Sequence, residues 1–409
     1  MKLSVPYFSL RLFYQNSFWA VAYLVVMCIQ LVAIEGYGVS PIKIALMGVA
    51  PLVFIFKTPY FSKALIWGIL YWVVCFFSAL YNGNMRFSTI GYLGMFAITA
   101  ITFFHLIQLG VFSLNHFIRL LKYLIIAYGV ILILQQICML VGIHYFPLIN
   151  LCNQHFLSLT KLPSLSWEPS STARILTGGM LSYIHCIDLL NDNKRLTIKD
   201  LFKDENKWVT GLFLWTMLTM GSGTAFIGLG ILSLYFVTRK TAVYVIPVLI
   251  ALLFIGSSLE IKQLDRAVRV AQVSMTGDIN AIIAEDGSAS ARIVPLVNTL
   301  TIDLTKKESW IGHGTSSSVK VITGTQLKTG KIAVVEQYGL IAFFISLIWV
   351  YSCMIRRFFS VETLVFALLL GMSLANIAYT WGCLMMFTAV RHFQVQQECG
   401  TLVLEENKD

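Results

Sequence analysis

Charge is scarce in this chain: Asp, Glu, Lys and Arg make up 12% of its 409 residues, against 57% apolar residues and a mean hydropathy of +0.76. So few charges cannot cover the surface of a soluble domain of that length, which excludes a single water-soluble globule and implies a polytopic membrane protein. Cysteine is also sparse. Among the 8 cysteines, Cys28, Cys75, Cys138, Cys186, Cys353 and Cys383 sit inside apolar runs, with no Cys-x-x-Cys and no Cys/His ligand spacing. That excludes a disulfide framework and a zinc site. No Asp-x-Asp pair stands in an outer loop, so neither a metal nor another cofactor is expected. No small-residue cleavage site follows the first apolar run, and that segment is expected to be retained. The net charge of +10 is dispersed through short loops beside apolar runs. This pattern fits membrane orientation and anionic lipid and does not fit nucleic acid. No fixed-period repeat and no inverted pair of Gly/Pro-broken helices is visible.

What is present is a succession of apolar runs. A span needs about 20 apolar residues, and on that ruler the chain holds roughly ten to twelve. They are expected at 18–34, 41–56, 64–80, 89–111, 120–142, 172–190, 208–220, 223–237, 241–256, 339–355, 359–374 and 376–391. The expected fold is all-α, one polytopic domain over 1–409, with a medium outer loop at 143–171 and a large outer loop at 257–331 carrying short helices. Basic residues in short loops mark the cytoplasmic side. Lys57, Lys63, Arg119, Lys122, Arg239, Lys240, Arg356 and Arg357 gather on one set of alternating loops, against Arg86, Lys161 and Arg174 on the other. Both termini are then cytoplasmic, the mixed charges of 191–207 form a solvated cytoplasmic connector, 392–409 is a cytoplasmic tail, and both larger loops lie outside.

The outer loops hold the polar chemistry. Trp167-Glu-Pro-Ser-Ser-Thr-Ala-Arg174 places a carboxylate beside an aromatic face, its backbone kept extended by the proline. Glu168 is a candidate general base and Trp167 a candidate sugar platform, against an interfacial tryptophan with an N-cap acid. Arg174 stands near a span end, where a charge marks a site or snorkels to the interface. Met220-Gly-Ser-Gly-Thr224 opens another span, and Ser222 and Thr224 could meet an anion or serve helix packing. In the large loop, Ile261, Leu264, Val268 and Ala271 share one helical face and Lys262, Arg266 and Arg269 the other. That is an interfacial helix, its cations either a rim for an anionic lipid-linked substrate or simple snorkelling. Asp286-Gly-Ser-Ala-Ser-Ala-Arg292 contributes Asp286, Ser288 and Arg292. The guanidinium of Arg292 suits a phosphate or diphosphate by a two-point contact, or pairs with Asp286 or Glu285. Trp310-Ile-Gly-His-Gly-Thr315 adds His313 as a weaker candidate base or donor, ahead of His144 and His155.

In order and spacing these motifs resemble the O-antigen polymerase (Wzy) and O-antigen ligase superfamily of bacterial surface polysaccharide assembly. The residues that carry the resemblance are Trp167, Glu168, Pro169 and Ser170; Ser222, Gly223 and Thr224; Asp286, Ser288 and Arg292; Gly312 and Gly314; and Glu336, Gly339 and Leu340. The resemblance implies a metal-independent glycosyltransferase of the inner membrane. A sugar hydroxyl of one polyprenyl-diphosphate-linked repeat unit would attack the anomeric carbon of a growing O-antigen or capsule chain. The catalytic set would be Glu168, Arg174, Arg292 and His313, with Trp167, Ser170, Ser222, Thr224, Lys262, Arg266, Arg269, Asp286 and Ser288 binding substrate. The expected partners are the lipid-linked oligosaccharide, membrane lipid and a chain-length regulator protein. Ligases of the superfamily carry a His-Asn pair before the Glu-x-x-Gly-Leu span, and 325–335 contains neither residue, which favours polymerase. The alternative from another class is a flippase for the same lipid-linked unit, which would bury cations along a central cavity within the spans.

Overall fold

The computed structural model describes residues 16–30, 40–83, 85–143, 161–191, 195–237, 269, 272–273, 281–282, 287–315, 331–370 and 377–401. Among them every regular element is helical. In chain order these are α1 (Asn16–Cys28), α2 (Pro41–Lys57), α3 (Lys63–Tyr81), α4 (Phe87–Gln108), α5 (Leu114–Leu140), α6 (Pro169–Leu190), α7 (Ile198–Leu201), α8 (Asp204–Thr219), α9 (Gly223–Phe236), α10 (Gly287–Leu300), α11 (Lys307–Ile311), α12 (Ala333–Cys353), α13 (Val361–Leu370) and α14 (Ala378–Glu398). Helices α3, α4, α5 and α12 are long and apolar enough to cross a membrane.

Local signals set many of the starts. Ser40, Ser62 and Ser113 occupy the N-cap positions of α2, α3 and α5, each accepting a backbone N–H of the first turn; this replaces one of the helix's orphan bonds. Pro169 begins α6, where its missing N–H costs nothing. Several helices outrun their apolar runs, α12 among them, which starts at Ala333 ahead of the expected 339. α5 starts at Leu114, ahead of the expected 120, because Leu114 and Phe117 are buried. α14 continues into the stretch expected to be a cytoplasmic tail, because His392 and Phe393 pack inside, Phe393 5.8 Å from the Phe117 ring. The span expected at 241–256 lies outside the described residues.

The centre of the bundle is α6, enclosed by α5, α9, α13 and α14. These elements approach closely because small residues face one another. A Cβ on Gly178 would fall 2.9 Å from Cys383 Sγ, and one on Gly228 2.2 Å from Thr177 Oγ1. In lipid such packing is what holds helices together, since burial against a neighbour gains little over burial in acyl chains. The lipid-like faces lie further out: Ile66, Ile69, Phe77 and Leu80 on α3 are exposed. Polar residues concentrate on the enclosed α6, as expected where every neighbour is protein.

Loop contacts distinguish two ends. At one, Gln30 N–H donates to Leu165 O (2.9 Å), Leu162 N–H to Met220 O (3.3 Å), and Arg86 N–H to Thr315 Oγ1 (2.7 Å). At the other, Gln397 Nε2 donates to Leu189 O (3.2 Å) and Arg391 Nη1 to the carbonyls of Tyr351 (2.7 Å) and Ile355 (2.9 Å).

Candidate functional site

A cavity of about 1250 Å³ opens at the first of these ends. The helix starts that meet there share one property. Ser40, Arg86, Glu168 and Ile377, the N-cap residues of α2, α4, α6 and α14, all line it. Each N-terminus presents unpaired amide N–H groups and a partial positive charge. Two cations, Lys43 and Arg86, and one carboxylate, Glu168, share the wall with Gln30, Ser88, Thr89, Tyr92, Trp167, Ser171 and Tyr379.

The segment bearing Trp167 and Glu168 is fastened before it reaches the cavity. Gln135 grips Ser164 at both backbone groups, accepting its N–H at 2.8 Å and donating to its carbonyl at 3.0 Å. This holds Ser164 at φ +54, a conformation unusual for a residue with a Cβ. The Ser166 hydroxyl bonds Thr172 Oγ1 at 2.6 Å across the start of α6. Glu168 then caps α6, its carbonyl accepting from Ser171 and Thr172. Glu168 is exposed on the cavity wall, and Ser170 Oγ donates to its Oε2 at 3.1 Å.

Arg174 lies behind that carboxylate. It is 1% exposed and does not line the cavity. Its Nε donates to Leu368 O (3.2 Å), and its Nη1 to Ser170 O (3.2 Å) and Ser170 Oγ (3.4 Å). Arg174, Ser170 and Glu168 therefore form one hydrogen-bonded chain, in which the guanidinium orients the serine hydroxyl that orients the carboxylate.

His313 stands in a second, adjoining structure. Two backbones cross at Gly312 (φ +69) and Gly339 (φ +81), where α12 breaks its helical geometry. A Cβ on Gly339 would lie 2.2 Å from Trp310 O, and one on Gly312 2.4 Å from Gln337 O. Only glycine fits both positions. The crossing is laced by His313 N–H to Glu336 O (3.0 Å) and Gly314 N–H to Gln337 O (2.9 Å). It docks on α3 where Ser78 Oγ (2.5 Å) and Asn82 Nδ2 (3.2 Å) donate to Ile311 O. His313 Nδ1 sits 3.6 Å from Glu336 Oε1. On the approach to α11, bonds from the Thr305 hydroxyl and N–H hold the Asp303 carboxyl below its usual range. The crossing reaches the cavity wall through the bond from Arg86 N–H to Thr315 Oγ1, and His313 itself is not in the lining.

The remaining expected residues divide cleanly. Ser222 and Thr224 are buried at the start of α9, away from the cavity. Arg269 is helical and exposed. Ser288 and Arg292 fall in α10, with side chains outside the described set; Lys262, Arg266, Asp286, His144 and His155 lie outside the described residues altogether. The residues that run-by-run reading passed over are Lys43 and Arg86. Lys43 was legible: an ionisable side chain inside an apolar run marks a site by default. With Lys43 7% and Arg174 1% exposed, the bundle is less free of buried cations than its apolar runs suggest.

Fold and cavity together define a membrane-embedded protein, helical in every regular element among the described residues, with a cleft of mixed apolar and polar lining at one end. No protein-family model, no curated protein and no solved structure matches the chain.

Proposed function

We propose that the chain is a polysaccharide repeat-unit polymerase, transferring a growing polyprenyl-diphosphate-linked glycan onto the next lipid-linked unit at the outer face of a bacterial inner membrane. The observation that carries this reading is the cavity wall, which a mounted aromatic and carboxylate, Trp167 and Glu168, share with two cations and four helix N-caps. The cavity end is then the outer face, and the end bearing Arg356 and Arg391 the cytoplasmic one. Glu168 accepts the proton of the acceptor hydroxyl as its oxygen bonds to the anomeric carbon. The bond from that carbon to the diphosphate breaks, and the lipid diphosphate leaves as an anion. Trp167 supplies an apolar face for a sugar ring, and Arg174 acts as a positioning residue through Ser170. Arg292 and His313 remain candidates for the second lipid-linked substrate, and a chain-length regulator for a partner.

Purified protein in nanodiscs, given lipid-linked repeat units, tests the reading: a ladder of extended glycans is expected, unchanged by chelator. Units that stay single, or a ladder that needs added Mg²⁺, count against it. The buried Lys43 and Arg174 keep a second reading in play, a flippase for the same unit. A deletion strain displaying single repeat units on its outer lipid supports the polymerase; one that strands units on the cytoplasmic leaflet supports the flippase.

A further inference from the structure

A helix N-terminus favours anions, and the first turn of a helix is where Asp and Glu are expected. Two of the helices that start at the cavity do the reverse. Lys43 is the third residue of α2, and it is 93% buried (7% exposed) with its amine donating to Gln30 Oε1 at 3.5 Å. Arg86 occupies the N-cap of α4, a position that calls for a side-chain acceptor, and makes no cap bond. Among the described residues no carboxylate lies within ion-pair distance of either cation. Both line the same cavity, and so do the N-cap residues of α6 and α14. Lys43, buried without a counter-charge against a helix dipole of the same sign, is costly twice over, while Arg86, which is exposed, bears the dipole penalty alone.

We propose that this end of the cavity is a binding site for a phosphate or diphosphate group, held by Lys43 Nζ and the Arg86 guanidinium between the N-termini of α2 and α4. The anion reverses both penalties at once and finds further hydroxyl donors in Ser88, Thr89 and Tyr92. Phe96, Ile175 and Ile377 provide an apolar wall for what the phosphate is esterified to. The assignment rests on the polymerase reading only in saying which diphosphate arrives. It gives the leaving group a binder in the cavity, which Arg174, bonded to carbonyls behind the wall, does not provide.

The test is pyrophosphate binding by calorimetry to the full chain in nanodiscs of neutral phosphatidylcholine. Wild type binds, and Lys43→Gln and Arg86→Gln each weaken binding by about tenfold or more, the loss of a charge-assisted contact. Lys43→Arg restores part of it, and Arg119→Gln at the opposite end leaves it unchanged. Monodisperse elution of each variant shows that it folds. If phosphatidylglycerol nanodiscs suppress the binding, a lipid headgroup takes this site; if they do not, a free or polyprenyl diphosphate does. Wild-type binding by both glutamine variants, or none by the wild type, overturns the proposal. Pyrophosphate binding without a glycan ladder removes the polymerase reading and leaves the anion site standing.

Discussion

Cations sit at helix ends on both faces of the bundle, and they sit there differently. At the end away from the cavity, Arg391 donates to the carbonyls of Tyr351 and Ile355 where α12 finishes, and Arg195 donates to Tyr235 O where α9 finishes. A cation at a helix C-terminus meets the negative pole and its unpaired carbonyls, so these arginines stabilise the fold. Some charges there are paired, Lys203 with Asp200 at 2.7 Å and His185 with Glu362 at 3.0 Å. At the cavity end, Lys43 and Arg86 stand at helix N-termini, where the same arithmetic makes them unfavourable. Lys63 at the first residue of α3 and Lys203 at the N-cap of α8 also stand at helix starts away from the cavity. What sets Lys43 and Arg86 apart is that they line a cleft with no carboxylate, among the described residues, within ion-pair distance of either, which is where sites are expected.

Substitutions can break or sharpen that contrast. Glu168→Gln keeps the shape of the cavity end and removes its proton acceptor. Ladder formation is expected to fall by about 10²- to 10⁴-fold with the protein still monodisperse; a ladder of wild-type yield would remove Glu168 from the chemistry. Gly339→Ala drives a Cβ to 2.2 Å from Trp310 O, whereas Gly83→Ala, at φ +65, meets nothing within 4 Å. The first is expected to cost about 3 kcal/mol or more, and the second about 1 kcal/mol. Equal melting shifts would mean that the crossing does not hold the loop. Arg174→Lys keeps the charge but loses the fork that joins Ser170 to Leu368 O. Turnover is expected to drop about thirtyfold, or about 2 kcal/mol, with KM little changed. A rise in KM alone would instead place Arg174 on the substrate. The exposed Arg356 to Glu398 pair at the far end is worth least: Arg356→Ala is expected to shift stability by less than about 1 kcal/mol.

Much of the helical layout was legible because an apolar run and a helix in lipid have the same cause: the run at 64–80 became α3 (Lys63–Tyr81). Ends were less legible. α5 and α14 extend past their apolar runs because Phe117 and Phe393, from distant parts of the chain, pack together. Trp167 and Glu168 stand out as candidates from local chemistry alone, and both line the cavity. The residues that share the wall with them do not, since the convergence of four helix starts is a property of packing. The Gly312 and Gly339 crossing was visible only as two separate glycine motifs, and nothing local says that two backbones meet there. Lys43 is the exception, a charge in an apolar run that marked its position without help from the fold.

The contrast between the two ends is tested most directly by measuring melting temperature and ladder yield together for Lys43→Gln and Arg391→Gln. Removing a cation from a helix N-terminus is expected to leave the empty protein about 0.5 to 1 kcal/mol more stable and to suppress the ladder. Removing one from a C-terminus is expected to cost about 1 to 3 kcal/mol in stability and to leave the ladder intact. If Lys43→Gln destabilises the protein as Arg391→Gln does, or leaves glycan extension untouched, the cations at the cavity are structural and the account fails.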